Sequence, residues 1–119
     1  MRTARVYVPD YLSWLRTLPC AVCCSNITVD AAHIRFSDAR IGKVNPGVGN
    51  KPHDFFAVPL CRDCHDEQHG MNEGVFWRKY DRDPLLISLS LFAVFNTTKD
   101  AWDAERIIYG LTRNVLSAG

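Results

Sequence analysis

Between Cys61 and His69 the chain reads CRDCHDEQH, two cysteines and two histidines in nine positions. Upstream, LPCAVC supplies a second pair, Cys20 and Cys23. Two C-x2-C knuckles are the ligand set of a tetrahedral structural zinc site, because two intervening residues let both thiolates reach one ion while turn amides point at the sulfurs. Cys20, Cys23, Cys61 and Cys64 are therefore expected to hold one structural Zn2+ that pins a helix starting near Arg62 to the first knuckle. The plain alternative is a set of buried or disulfide-bonded cysteines. The first residues, MRTARVYVPDY, carry no signal-like apolar run, so a reducing, cytoplasmic setting is expected, which favours metal over disulfides. Cys24 is left over and reads as a small buried residue.

His65 and His69 are four apart, so on a helix they share a face and could bind a second ion. His65 follows Cys64 directly and points about 100° away around the helix. One short helix could then serve two cations; the alternative is a pair of solvated histidines. His53 reads as solvated. His33, alone in the apolar stretch DAAHIRF, would by itself be read as a hydrogen-bonded core residue.

These residues need elements to position them. PDYLSWLRTL (9–18) reads as a helix capped by Asp10, with Leu12, Leu15 and Leu18 at helical spacing. LPCAVCCSN is a turn, ITVDAAHIRF a strand, and 37–53 a loop with three glycines and two prolines. DFFAVPLC is a second strand delivering Cys61, and RDCHDEQHG a helix stopped by Gly70. GVFWRKYDRD contains a short helix, with Phe76 and Trp77 assigned mainly to the core. PLLISLSLFAVF reads as a helix with Leu85, Leu89, Phe92 and Ala93 on one face, although its alternation also permits a strand. NTTKDAWDAERIIYGLTRNVL is an amphipathic helix capped by Thr97 or Thr98, with Trp102, Ile108 and Leu111 near one side.

The 119 residues imply a single domain, with a metal core over 18–70 and a helical C-terminal extension over 71–119. The longest apolar run, Pro84 to Phe95, is too short for a bilayer, so no membrane partner is expected. The net charge of +1 excludes little, but its distribution is uneven. Between His33 and His53 stand Arg35, Arg40, Lys43 and Lys51 against Asp38, a local charge of +3. Such groups suit backbone phosphates, giving salt-dependent affinity without base readout. Arg2, Arg5 and Arg16 are candidates to extend that surface.

The order C-x2-C, AHIR, a glycine-containing loop, then D-x4-PLC-x2-CH-x3-H resembles the HNH endonucleases of the ββα-metal superfamily, nearest to the small zinc-bearing nucleases of prophages. The resemblance covers about residues 18–70. It implies an α+β, treble-clef-like ββα-metal core stabilised by zinc, with additional N- and C-terminal helices. It also implies that His33 is the general base that deprotonates water and that His65 binds a catalytic divalent ion. Asp54 stands near the place of the family's middle asparagine, and a carboxylate can equally accept a proton from the imidazole. Many such enzymes place a metal-binding histidine or aspartate directly before the base. Here that residue is Ala32, so the remaining ligand falls to Asp30, to His69 or to water.

The function so implied is DNA phosphodiester hydrolysis, largely sequence-independent, leaving a 5′ phosphate. It would use His33, polarised by Asp54, and one divalent ion (Mg2+, Mn2+, Ni2+ or Zn2+) on His65 and His69. Arg35 is the first candidate to hold the scissile phosphate, with Arg40, Lys43 and Lys51 beside it. The C-terminal helices would pack on the metal core or form a homodimer. The alternative is a non-catalytic four-cysteine zinc module that binds DNA or protein. A thiol redox enzyme using Cys20 and Cys23 is a third, weaker reading.

Overall fold

The computed structural model describes residues 5–43 and 52–110. The described residues form an α+β arrangement of a two-stranded antiparallel sheet and five α-helices. Helix α1 (Pro9–Leu15) comes first, then strand β1 (Val29–His33), a 3-10 turn at Ala39–Ile41, and strand β2 (Ala57–Cys61). Helix α2 (Arg62–His69) follows β2 without a break, and α3 (Glu73–Lys79), α4 (Pro84–Phe95) and α5 (Ala101–Gly110) complete the order. Both strands are shorter than the sequence suggests, and in β2 this is because Asp54 to Phe56 form a turn ahead of it.

The register pairs Val29 with Cys61 and His33 with Ala57. Pro59, which has no N–H to give, fits β2 because each strand of a two-stranded sheet has an open edge. Its carbonyl accepts from Ala21 N at 2.8 Å, fastening the first cysteine knuckle alongside β2. Cys61 is the N-cap of α2 but makes no side-chain cap bond. Gly70 follows α2 in a right-handed conformation, so the helix stops without the left-handed glycine expected there.

The helical caps come from short polar side chains, as their geometry requires. Asn72 accepts from Val75 N at the start of α3, and Asp83 accepts from Leu86 N, with Pro84 at the first helical position of α4. At α5, Asp100 takes Asp103 N, and Thr98 Oγ1 accepts from Asp100 N one step earlier. Asp10 does not cap α1; the N-cap is Val8, and Pro9 supplies the preset φ.

α4 is a helix, but its buried face differs from the expected one. Leu85, Ile87, Ser88, Leu91 and Phe95 are buried, whereas Leu89 and Ala93 are exposed. A segment apolar on nearly every side gives no phase to read. On α5, Ile108 is buried as its spacing suggests, together with Ala104, whereas Trp102 is 68% exposed. Leu111 lies outside the described residues. Among those described, no helix is long and apolar enough to cross a membrane.

One apolar cluster joins α1, the sheet and the C-terminal helices, and it includes Phe76 and Trp77. Tyr11 lies at its centre, fully buried, and its hydroxyl lies 3.0 Å from Ala57 O and 3.1 Å from Ser88 O, linking α1 to both β2 and α4. Tyr11→Phe should lower unfolding stability by about 1–2 kcal/mol, the usual range for buried hydrogen bonds lost with their acceptors left behind. Urea denaturation reads this as a lower midpoint at constant slope, and an unchanged midpoint would refute the linking role.

Candidate metal and imidazole site

The four knuckle cysteines converge. Ligand atoms of Cys20, Cys23, Cys61 and Cys64 all lie within 4.8 Å of one another, close enough to hold a metal ion. No other group of three or more His, Cys or acidic side chains is gathered this tightly among the described residues. Local backbone explains the convergence: Val22 N and Cys23 N both point at Cys20 Sγ, at 3.4 and 3.5 Å, as a C-x2-C turn requires. The second pair sits on the last residue of β2 and in the first turn of α2.

The electrostatics of this cluster are unbalanced without a cation. Burial alone would raise the Cys20 thiol, but hydrogen bonds from the amides of Cys23, Cys61 and Val22 outweigh it and hold Cys20 below its ordinary value. Burial pushes the Cys64 thiol far up, and the negative charge of Cys20 adds to the shift. One sulfur invites charge and its neighbour then refuses it, the situation a divalent ion relieves. Cys24 is no part of the cluster and is not buried: it is exposed, with φ at +65°. It occupies the left-handed corner that lets the knuckle turn back.

The imidazoles form two separate groups. At the end of β1, His33 Nε2 lies 2.9 Å from Asp54 Oδ1. Asp54 is only 1% exposed and is held from three sides. Arg5 Nη2 donates to Oδ1 at 2.7 Å, and Val8 N donates to Oδ2 at 2.7 Å. Burial works to raise this carboxyl, but the bonds from His33, Val8 and Arg5 prevail and keep it below the ordinary carboxylate range. Arg5 Nη2 also comes within 3.5 Å of His33 Nε2.

Sequence reasoning placed Arg5 on a phosphate-binding surface, and it treated His53 as solvated. Both belong to one brace. Val6 N donates to His53 Nδ1 at 2.8 Å, Asp54 N donates to Val6 O, and Arg5 Nε donates to Pro52 O. The segment 5–8 thus runs beside 52–54 and fixes the turn carrying Asp54. No local pattern announces a contact across nearly fifty residues; the one available signal was a buried acid in need of a cation.

The second group lies on α2. His65 Nε2 and His69 Nε2 face each other at 3.0 Å. Asp30, considered above as a metal ligand, meets the opposite ring nitrogen, His65 Nδ1, at 3.0 Å. Its Oδ2 also takes Arg62 Nη2 at 2.8 Å. Asp30 therefore stands behind His65 and not beside His69. Asp30 and Ala32 share one face of β1, whereas His33 lies on the alternate one. Three residue steps along the strand carry the chain from Asp30 to His33, roughly 10 Å between their Cα atoms.

The basic residues divide as well. Lys43 is only 5% exposed, and its Nζ donates to Phe36 O at 2.6 Å and lies 5.2 Å from the Phe56 ring centroid. A buried ammonium spent on a carbonyl cannot meet a phosphate, so Lys43 leaves the phosphate-binding set. Arg40 is exposed and paired with Asp38. Arg35 is half-buried, and its backbone N–H donates to Glu73 Oε1 at 3.0 Å. Arg16 is exposed just after α1. Lys51 and Arg2 lie outside the described residues.

Fold and cluster thus define an α+β chain with four cysteines close enough together to hold a metal ion. The chain belongs to the family described as "Protein of unknown function (DUF968)", whose model matches residues 2–97. It is also similar to the "Uncharacterized protein YdfU" of Escherichia coli (strain K12), 42% identical over 59 residues, which is 50% of this chain and 15% of that protein. The chain therefore spans a small fraction of that relative's length. No solved structure matches it.

The lowered Asp54 carboxyl has a pH signature. It binds its proton less readily folded than unfolded, so its stabilising contribution is complete above the unfolded value of about 4 and drains away as pH falls through the lower folded value. Asp54→Asn should cost on the order of 2 kcal/mol at neutral pH, with the gap to wild type narrowing steadily toward pH 3. Denaturant titrations across that range measure it, and a gap independent of pH would contradict the assignment.

Proposed function

We propose that the chain is a metal-dependent DNA endonuclease of the HNH, ββα-metal kind. The observation that carries the reading is the His33–Asp54 contact at 2.9 Å, set in the same strand–loop–strand–helix unit that presents His65 and His69. In this account β1, β2 and α2 are the ββα unit. Cys20, Cys23, Cys61 and Cys64 hold a structural Zn2+, giving the treble-clef-like arrangement that the sequence resembles.

The chain's own groups suit phosphodiester hydrolysis. An ionised Asp54 oxygen 2.9 Å from His33 Nε2 requires the proton on that nitrogen, which leaves the basic lone pair on Nδ1. As general base, His33 would take a proton from an attacking water, and Asp54 would then stabilise the imidazolium. Arg5 and Val8 N keep Asp54 ionised and aimed at the ring. On α2, Asp30 takes the Nδ1 proton of His65, so the Nε2 lone pair is directed toward His69. Asp30 is then the carboxylate that orients a metal-binding histidine from behind. A divalent ion held by His65 and His69 would supply electrostatic stabilisation for charge developing on the phosphate.

A second reading, a non-catalytic four-cysteine module that binds DNA or protein, is favoured by Ala32 and by the two-nitrogen donor set on α2. A plasmid-nicking assay in Mg2+, Mn2+, Ni2+ or Zn2+ separates the two. Wild type should nick in at least one ion, and His33→Ala should reduce the rate by about 10²- to 10⁴-fold in protein that keeps the wild-type far-UV circular dichroism. If no ion supports cutting, or if His33→Ala cuts as fast as wild type, the catalytic reading is wrong.

A further inference from the structure

His53 stands where the N-terminal segment meets the turn before β2, and its ring works there as an acceptor. Val6 N donates to His53 Nδ1 at 2.8 Å. That bond needs a bare lone pair on Nδ1, so it exists only while the imidazole is neutral with its proton on Nε2. A second proton, on Nδ1, would set two N–H donors face to face across the same 2.8 Å and turn attraction into repulsion. The ring is also held in its plane. Phe55 stacks on it with centroids 5.2 Å apart and planes at 13°, and Phe56 tilts against it at 6.4 Å. The ring thus meets two segments, 5–8 and 52–56, whose charged side chains, Arg5 and Asp54, are paired with each other at 2.7 Å.

The contact sets a register. Val6 N is taken by His53, and Val6 O accepts from Asp54 N at 3.1 Å, so both backbone groups of Val6 are fixed by two successive residues. With Val6 in that place, Arg5 on one side and Val8 on the other donate to the two oxygens of Asp54. We propose that His53 is a positioning residue and a proton-sensitive latch: neutral, it holds Val6 where Arg5 and Val8 reach Asp54, and protonated, it lets the segment go. That the latch regulates a reaction at the His33–Asp54 pair rests on the nuclease reading; the latch itself does not. The sign follows from the acceptor role. The segment is fastened at high pH and released as pH falls through the titration of the ring, in the interval of about pH 8 to 5 where imidazoles as a class change charge. Asp54, held below the ordinary carboxylate range, is still ionised there, so a released segment leaves a charged carboxylate with fewer donors.

Two variants separate the acceptor from the ring. His53→Phe keeps an aromatic ring for Phe55 and removes Nδ1, whereas His53→Asn offers an amide oxygen in the place of Nδ1 and does not titrate. The direct readout is the Val6 amide ¹H–¹⁵N resonance between about pH 8 and pH 5. In wild type the proton should move upfield as pH falls, as a lost hydrogen bond requires. In His53→Asn it should hold its position, and in His53→Phe it should stand upfield already at the high end. In the plasmid-nicking assay, His53→Phe should slow cutting by up to about 10²-fold, the scale of a small misplacement of catalytic groups, and His53→Asn should restore most of the rate. The ratio of wild-type to His53→Asn rates should fall with pH, because the titration of His33 is common to both and cancels. The proposal is overturned if the Val6 resonance responds to pH alike in wild type and His53→Asn, or if His53→Phe cuts as fast as wild type. Val6 resonances that behave as stated in protein that cuts in no ion would sink the nuclease reading and leave the latch standing. Cutting by wild type with a Val6 resonance indifferent to pH would do the reverse.

Discussion

Four sulfur atoms brought within 4.8 Å of one another are the constraint from which the rest of the chain takes its shape. They come from two turns that are far apart in sequence, so their convergence closes a long loop whose ordering costs entropy. What the closure fixes is the junction of β2 and α2. Cys61 is both the last residue of the strand and the N-cap of the helix, and Cys64 lies in the first helical turn. A cation at the cluster would therefore set the direction in which α2 leaves the sheet. The same crowding makes the thiols interfere with each other's ionisation, so the cluster asks for positive charge.

With α2 so aimed, the next residue after Cys64 faces another way. His65 turns toward Asp30 on β1 and His69 one turn on, while the sulfur face stays with the knuckle. The helix thus separates two donor sets by rotation alone. The His33–Asp54 pair is governed from elsewhere. Its carboxylate is held by the N-terminal segment, through Arg5 and Val8, so the turn before β2 depends on residues that precede α1. The knuckle meanwhile reaches forward, since Ala21 and Val22 receive Arg82 from the turn after α3. The metal cluster, the imidazoles and the C-terminal helices are consequently not independent pieces.

What could be read from the sequence follows the range of the interaction. The cysteine set was legible because a C-x2-C turn is local, and two copies of it leave little else to suggest. His65 and His69 are paired by helical spacing, whereas Asp54 is reached only through the resemblance to the HNH endonucleases. Arg5, His53 and Lys43 were misread for the opposite reason. Each makes its main contact across a turn or across dozens of residues, and nothing local distinguishes a buried cation from a solvated one. The face of α4 was misassigned because Pro84 to Phe95 is apolar nearly throughout. Cys24 was read as buried by its residue type, whereas the turn geometry puts it outside.

The claim that one short helix serves two chemically distinct cation sites is tested most directly by titrating metal-free protein, under reducing conditions, with Co2+ and following its absorption. The account predicts that the first equivalent produces intense sulfur-to-cobalt charge-transfer bands and that a second binds without adding to them. It further predicts that His65→Ala and His69→Ala abolish only the second event. Saturation of the wild type at one equivalent, or loss of the sulfur bands in either histidine variant, would contradict it.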